Sequence, residues 1–74
     1  MKDDVYKIIT EVWNFTKKYL AVIESGDSDG WDDYQTDASK IYNDTYGKPE
    51  YFRQMTFKMV NGAMDFIEGR YRDK

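Results

Sequence analysis

Apolar side chains in the first third of the chain recur every three or four positions, the spacing of one face of an α-helix. They are Val5, Ile8, Ile9, Val12, Phe15, Tyr19, Val22 and Ile23. A second file, Tyr6, Trp13 and Leu20, repeats every seven residues beside the first and makes the apolar stripe unusually broad. The pattern predicts a helix over residues 4–25 that is covered on two sides and that Gly26 ends in a left-handed conformation.

The middle segment shows the same spacing and predicts a second helix over residues 29–46. The side chains predicted to face inward are Trp31, Tyr34, Ala38, Ile41, Tyr42 and Thr45. Asp33, Asp37 and Asp44 fall on the opposite side of the helix and are predicted to point away from the core. The segment is therefore predicted to be a two-faced helix.

A third helix is predicted over residues 49–68, with Pro49 in its first turn and Gly69 at its end. Its predicted core face consists of Phe52, Met55, Met59, Ala63, Phe66 and Ile67. Met55, Met59 and Met64 are interpreted mainly as core-filling side chains, since two of them share the stripe of Phe52. The short connections favour an all-α fold, a three-helix bundle forming a single domain over residues 1–74.

Charge is distributed unevenly along these predicted helices. Residues 24–46 hold seven acidic side chains and one basic one, a net charge of minus six, whereas both flanking segments are mildly basic. Asp33 and Asp37 are separated by about 6 Å along a helix axis, which is comparable to the spacing of neighbouring phosphates. A rigid acidic face of this kind fits a basic groove that normally holds nucleic acid. A solvated, solubilising helix face explains the same residues.

The connection between the first two helices partly matches a calcium-binding loop. Ser25, Asp27, Asp29, Gly30 and Asp33 occupy ligand and turn positions of an EF-hand-like sequence. The position of the usual bidentate glutamate, however, is taken by a threonine. A glycine-rich turn followed by an acidic helix start, with Asp29 as N-cap, is the favoured interpretation, and no metal or other cofactor is assigned.

Several function classes are excluded or disfavoured by composition. Cysteine and histidine are both absent, which excludes thiolate zinc sites and histidine-dependent catalytic triads. Nothing in the sequence places a carboxylate, lysine or tyrosine in an apolar pocket, so no enzymatic activity is predicted. The longest apolar run is far shorter than a membrane span and no signal-peptide pattern begins the chain, so a cytoplasmic location without membrane contact is expected.

Size, acidity, aromatic content and predicted helical build resemble those of small accessory proteins of bacteriophages and prophages. That group includes anti-CRISPR inhibitors and other nucleic-acid mimics. The resemblance covers the whole chain but no diagnostic motif, and it therefore implies no particular functional residue.

The leading hypothesis is a protein-binding module whose acidic face docks on a basic surface of a larger protein, such as a nucleic-acid enzyme. The residues predicted to make this contact are Asp29, Asp32, Asp33, Asp37 and Asp44.

Two alternatives are self-assembly through the broad stripe of the first helix, giving a homodimer, and calcium binding at the degenerate loop. Direct nucleic-acid binding by Arg70, Arg72 and Lys74 ranks lower, because three cations beside Asp73 in an acidic protein are a weak footprint.

Overall fold

The computed structural model describes residues 2–73 and contains three α-helices and no strand within that range. The helices are α1 (Lys2–Ser25), α2 (Tyr34–Asn43) and α3 (Glu50–Asp73), and a short 3-10 helix (Ser28–Trp31) lies between the first two. The predicted all-α three-helix fold is confirmed. Met1 and Lys74, the latter part of the predicted basic tail, lie outside the described residues.

The three helices run up, down and up along a molecule measuring 38 × 19 × 16 Å. Lys18 in the second half of α1 meets Asp37 near the start of α2, so these two helices are antiparallel. Lys48, just before α3, pairs with Asp4 in the first turn of α1, so the two long helices are parallel. Because α2 has only ten residues and α1 and α3 have 24 each, α2 covers one side of the long pair.

Apolar side chains from all three helices meet in one core. The buried hydrophobic residues are Ile8, Phe15, Tyr19, Ile23, Tyr34, Ala38, Ile41, Phe52, Val60 and Ile67. At one end of the bundle Tyr19 packs edge-on against Tyr34, with ring centroids 4.9 Å apart, and Trp31 stacks on Tyr19 at 5.6 Å. Such aromatic contacts add directional packing energy to the area they bury. None of the helices within residues 2–73 combines the length and apolarity that crossing a membrane requires.

The second helix is shorter than predicted at both ends. Residues 28–31 form a 3-10 helix, and the α-helix begins only at Tyr34, because the tighter turn brings Trp31 onto Tyr19. After Asn43 the backbone closes into turns in which the amide of Thr45 donates to the carbonyl of Tyr42. Thr45 is nevertheless fully buried, as its inward position predicted.

The core stripe of the third helix is rotated relative to the prediction. Phe66 is exposed rather than buried, whereas Thr56 and Val60 are buried. Thr56 is tolerated in the core because its hydroxyl donates to the carbonyl of Phe52 at 3.0 Å. Met55, Met59 and Met64 pack partly buried against the core, in agreement with their core-filling interpretation.

Gly69 does not end the third helix, which continues to Asp73. The extra turn is held by Tyr71, whose ring meets Trp31 edge-on with centroids 5.5 Å apart. Gly26, in contrast, ends α1 with a φ of 70°, as predicted.

The broad apolar stripe of α1 is only partly covered. Both α2 and α3 pack against α1, so this helix is covered on two sides as predicted. Tyr6, Ile9 and Trp13 are nevertheless exposed, so neither neighbouring helix covers this part of the stripe.

Candidate acidic surface

The acidic connection between α1 and α2 is ordered by its own backbone bonds. The Asp27 carboxylate accepts a hydrogen bond from the backbone amide of Asp29 at 3.0 Å, so Asp27 caps the 3-10 helix. The prediction that Asp29 is the N-cap is wrong, because the helix that it would cap starts five residues later, at Tyr34. Asp33 precedes α2 without capping it through its side chain.

This capping role leaves three neighbouring aspartates pointing to solvent. Asp29, Asp32 and Asp33 are exposed, and their carboxylates have no hydrogen bond or ion pair with any residue in the described range 2–73. Asp27 differs from them, because it lines a groove together with Arg72 from the end of α3. The three free carboxylates precede the first turn of α2, where the helix dipole favours negative charge.

The fold brings two further carboxylates to the same end of the bundle. The Tyr34 hydroxyl, in the first turn of α2, donates to Glu68 Oε2 at 3.0 Å. Burial, together with the nearby carboxylates of Glu68 and Asp65, raises the pKa of Tyr34 above its usual range. We call the group Asp29, Asp32, Asp33, Asp65 and Glu68 the acidic end. Its last two members were not predicted from the sequence, because no periodicity within α3 indicates which residues lie beside Tyr34.

Asp37 is turned toward α1 and is only partly exposed, contrary to the prediction that it points away from the core. Its Oδ2 accepts hydrogen bonds from Lys18 Nζ and from the Tyr19 hydroxyl, each at 2.7 Å. The bond from Lys18 is the largest cause that lowers the pKa of Asp37, followed by the bond from Tyr19. The Asp37 charge is therefore committed to the α1–α2 interface, and this residue is not part of a free acidic face.

Asp44 is exposed but lies apart from the acidic end, beyond the last turn of α2 and beside Glu11 of α1. Burial, and after it the Asp44 carboxylate, raises the pKa of Glu11. Glu11 Oε2 is buried without a hydrogen-bond partner among residues 2–73, whereas Oε1 lies 4.0 Å from Lys7 Nζ.

A shallow groove of about 290 Å³ lies between α1 and α2 and extends from Glu11 and Asp44 to the Lys18–Asp37 contact. Its lining residues are Glu11, Asn14, Phe15, Lys18, Asp37, Lys40, Ile41 and Asp44.

The five aspartates assigned to one surface by sequence thus fall into three environments. Asp29, Asp32 and Asp33 belong to the acidic end, Asp37 is internally paired, and Asp44 adjoins Glu11. Lys40 lies between the last two in sequence and lines the same groove as both of them. A continuous row of free carboxylates along α2 is therefore not formed.

The degenerate calcium loop takes a compact form that uses its oxygens locally. The Ser25 hydroxyl donates to the carbonyl of Val22 and accepts from the Asp27 amide, while the Asp27 carboxylate caps the 3-10 helix. Within residues 2–73 no group of three or more carboxylates is gathered closely enough to hold a metal ion. The segment forms a compact turn, as the favoured interpretation predicted, but the residue that caps the following helix is Asp27 and not Asp29.

The chemistry available at the acidic end is recognition through charge. Fixed carboxylates on a helical scaffold accept hydrogen bonds from guanidinium or ammonium groups, and their bonds to arginine are the strongest of this type. No protein-family model, curated protein or solved structure matches this chain.

Proposed function

We propose that this chain is a non-enzymatic protein-binding module whose acidic end docks on the basic surface of a larger protein. The observation that carries the proposal is the group of three exposed carboxylates at Asp29, Asp32 and Asp33, which have no hydrogen-bond or ion-pair partner within residues 2–73. These three side chains lie within five consecutive residues, so a cationic partner satisfies their oxygens and reduces the repulsion between them.

The partner surface that fits best is one that normally binds the phosphates of nucleic acid. Arginine and lysine side chains in such grooves are spaced to meet regularly placed anions, which a rigid acidic end imitates. In this proposal the chain acts as a cytoplasmic inhibitor of a nucleic-acid enzyme, in the manner of the phage accessory proteins that it resembles in composition. Asp44 supplies a secondary contact, and Asp37 holds α2 in place for the contact.

The shifted pKa values of Tyr19 and Asp37 have structural explanations and do not favour catalysis by these two groups. Burial and the hydrogen bond to Asp37 raise the pKa of Tyr19 to about 12, so its phenol stays protonated at neutral pH. The Asp37 carboxylate is held ionised by Lys18. Neither group is poised to exchange a proton near pH 7, which general acid and base catalysis requires.

A competition experiment tests the proposal. A fluorescent oligo-arginine peptide bound to duplex DNA serves as the probe, and the protein is added to displace the peptide. We expect wild-type protein to release the peptide at about 50 mM salt and to lose most of that effect near about 300 mM, because exposed charges are screened. The variant Asp29→Asn/Asp33→Asn should displace the peptide at least about fivefold less well.

The matched control removes two carboxylates from the opposite end of the bundle. Asp3→Asn/Glu50→Gln changes the net charge by the same amount at exposed positions in the first turns of α1 and α3. We expect it to weaken displacement less than about twofold. Equal losses in the two variants would mean that only net charge matters, and would contradict docking through the acidic end.

A further inference from the structure

The long helices carry exposed apolar side chains on the side away from α2. On α1 these are Tyr6, Ile9 and Trp13, which are 74%, 49% and 57% exposed. Their spacing of three and four residues places them on one helical face. On α3 Phe66 is 55% exposed and lies on the same helical face as Met59 and Gly62.

The two apolar faces flank the same α1–α3 contact. The flank of α1 turned toward α2 is marked by Lys18, which binds Asp37, and Trp13 lies on the opposite flank of the buried stripe. The flank of α3 turned toward α2 is marked by Phe57, whose ring meets Tyr42 at 5.6 Å, and Phe66 lies opposite it. Together they form one surface, the α1/α3 face, defined by Tyr6, Ile9, Trp13, Met59, Gly62 and Phe66.

The area of the α1/α3 face is close to what a small stable dimer needs. Its four most exposed side chains present roughly 400 to 500 Å² of apolar surface, which is at the upper end of what a monomer usually leaves open. Two copies would bury roughly twice that area, and the partly buried residues around the face bring the total near the 1,200 Å² or so of the smaller specific interfaces. Gly62 adds a depression at the middle of α3, since nothing lies within 4 Å of the position of a Cβ there.

Charge along α1 indicates how a second copy is oriented. Lys2 and Glu24 lie on the same flank of α1 as Trp13, eleven residues to either side of it. Both are exposed, and neither has an ion-pair partner within residues 2–73. If two α1 helices cross antiparallel at Trp13, Lys2 of each copy comes opposite Glu24 of the other. The charge pattern is thus self-complementary, which a two-fold symmetric interface requires.

We propose that a second copy of this chain docks on the α1/α3 face, forming an antiparallel two-fold dimer centred on Trp13. The two acidic ends then point away from each other at opposite ends of the dimer. This arrangement keeps the repulsion between copies small, and it makes the dimer independent of Asp29, Asp32 and Asp33.

Sedimentation equilibrium over a concentration series tests the dimer. Wild-type protein is expected to sediment as a dimer at micromolar concentration, and Trp13→Glu should weaken dimerisation at least about thirtyfold, as the loss of a central aromatic anchor does. The matched control is Tyr46→Glu, which places the same charge on an exposed aromatic residue outside the face and should leave dimerisation unchanged. Circular dichroism verifies that each variant keeps its helices.

A charge exchange tests the orientation. Lys2→Glu and Glu24→Lys should each weaken the dimer several-fold, and the double variant should restore it, because the two charges face each other across the interface. A protein that stays monomeric up to millimolar concentration overturns the proposal, as does a dimer that survives Trp13→Glu. Failure of the double variant to recover overturns the antiparallel arrangement.

Discussion

The Tyr19 hydroxyl donates a 2.7 Å hydrogen bond to the Asp37 carboxylate, on which Lys18 Nζ also converges at 2.7 Å. Tyr19 is completely buried, and its ring contacts Phe15, Trp31 and Tyr34. Asp37 therefore joins the aromatic cluster to the polar rim and fixes α2 against α1. The acidic end is built on that helix, so its geometry depends on this contact.

Replacing Asp37 by alanine is expected to lower the free energy of unfolding by about 1 to 3 kcal/mol, because the buried Tyr19 hydroxyl loses its acceptor. Urea denaturation followed by circular dichroism measures the effect. Asp32→Ala serves as the control, since that exposed side chain has no partner within the described range, and its effect should stay within about 0.5 kcal/mol. Similar losses in both variants would show that the Asp37 contact is not stabilising.

Alkaline pH is expected to destabilise the protein through Tyr19. The folded state holds the phenol proton more tightly than the unfolded chain, because the pKa of Tyr19 is raised to about 12 in the fold, whereas an unperturbed tyrosine titrates near about 10. The stability gained from this shift is complete below about pH 10 and is lost as the pH rises through about 12. The unfolding free energies of wild type and Tyr19→Phe, measured by denaturation across that pH range, should converge as the pH rises. A constant difference would contradict the assignment of the alkaline destabilisation to Tyr19.

Acidic pH is expected to weaken the contact of Asp37 with Lys18 and Tyr19 by protonating the Asp37 carboxylate. Because Lys18 and Tyr19 lower the pKa of Asp37 in the fold, its contribution is present above the usual aspartate pKa and is lost as the pH falls through the lower folded value. The difference in unfolding free energy between wild type and Asp37→Asn should therefore shrink between about pH 5 and pH 2. If the difference in unfolding free energy persists at the lowest pH of this range, the effect of Asp37→Asn comes from packing alone.

Glu11→Gln is expected to stabilise the protein at neutral pH. Burial and the neighbouring Asp44 carboxylate raise the pKa of Glu11, so the folded state is penalised once this carboxyl ionises. The amide of glutamine removes that penalty but also loses the weak ion pair with Lys7. We expect the free energy of unfolding to rise by about 0.5 kcal/mol as the net result. The gain should disappear below about pH 4, where the carboxyl is protonated in both states. A lower melting temperature for Glu11→Gln at pH 7 would refute this explanation.

Gly30→Ala should destabilise the connection between α1 and α2. A Cβ at this position would lie 2.8 Å from Val22 Cγ2 and 2.9 Å from Cγ1, and the branched valine in the last turn of α1 has little rotamer freedom. We expect the free energy of unfolding of Gly30→Ala to be lower than that of the wild type by about 1 to 3 kcal/mol. In the background of Val22→Ala the same substitution should cost much less, and a double-mutant cycle by thermal denaturation measures the difference. Additive losses would contradict the predicted clash.

Spacing along the chain was sufficient to predict most of the local structure. Three amphipathic segments, separated at Gly26 and before Pro49, predict three helices in order, and the left-handed Gly26 is observed. These features depend on contacts between residues a few positions apart, and backbone sterics determine them locally. The composition likewise predicted an acidic segment between mildly basic flanks.

Distances along the chain could not assign the partners of the acidic residues. Asp37 occupies a position that spacing alone marks as outward, yet it binds Lys18 and Tyr19, which precede it by 19 and 18 residues. Phe66 shares the apolar spacing of α3 but is exposed, because the short α2 covers only one flank of the long helices. Packing angles and helix lengths determine such neighbours, and they arise only when the whole core is assembled.

The acidic character of the middle segment follows from the amino-acid sequence alone. The division of its charges into a free acidic end and an internally paired aspartate follows from the antiparallel packing of α1 and α2. Periodicity constrains a residue to one side of its own helix, whereas a carboxylate is free or paired according to what the neighbouring helix places within hydrogen-bond distance.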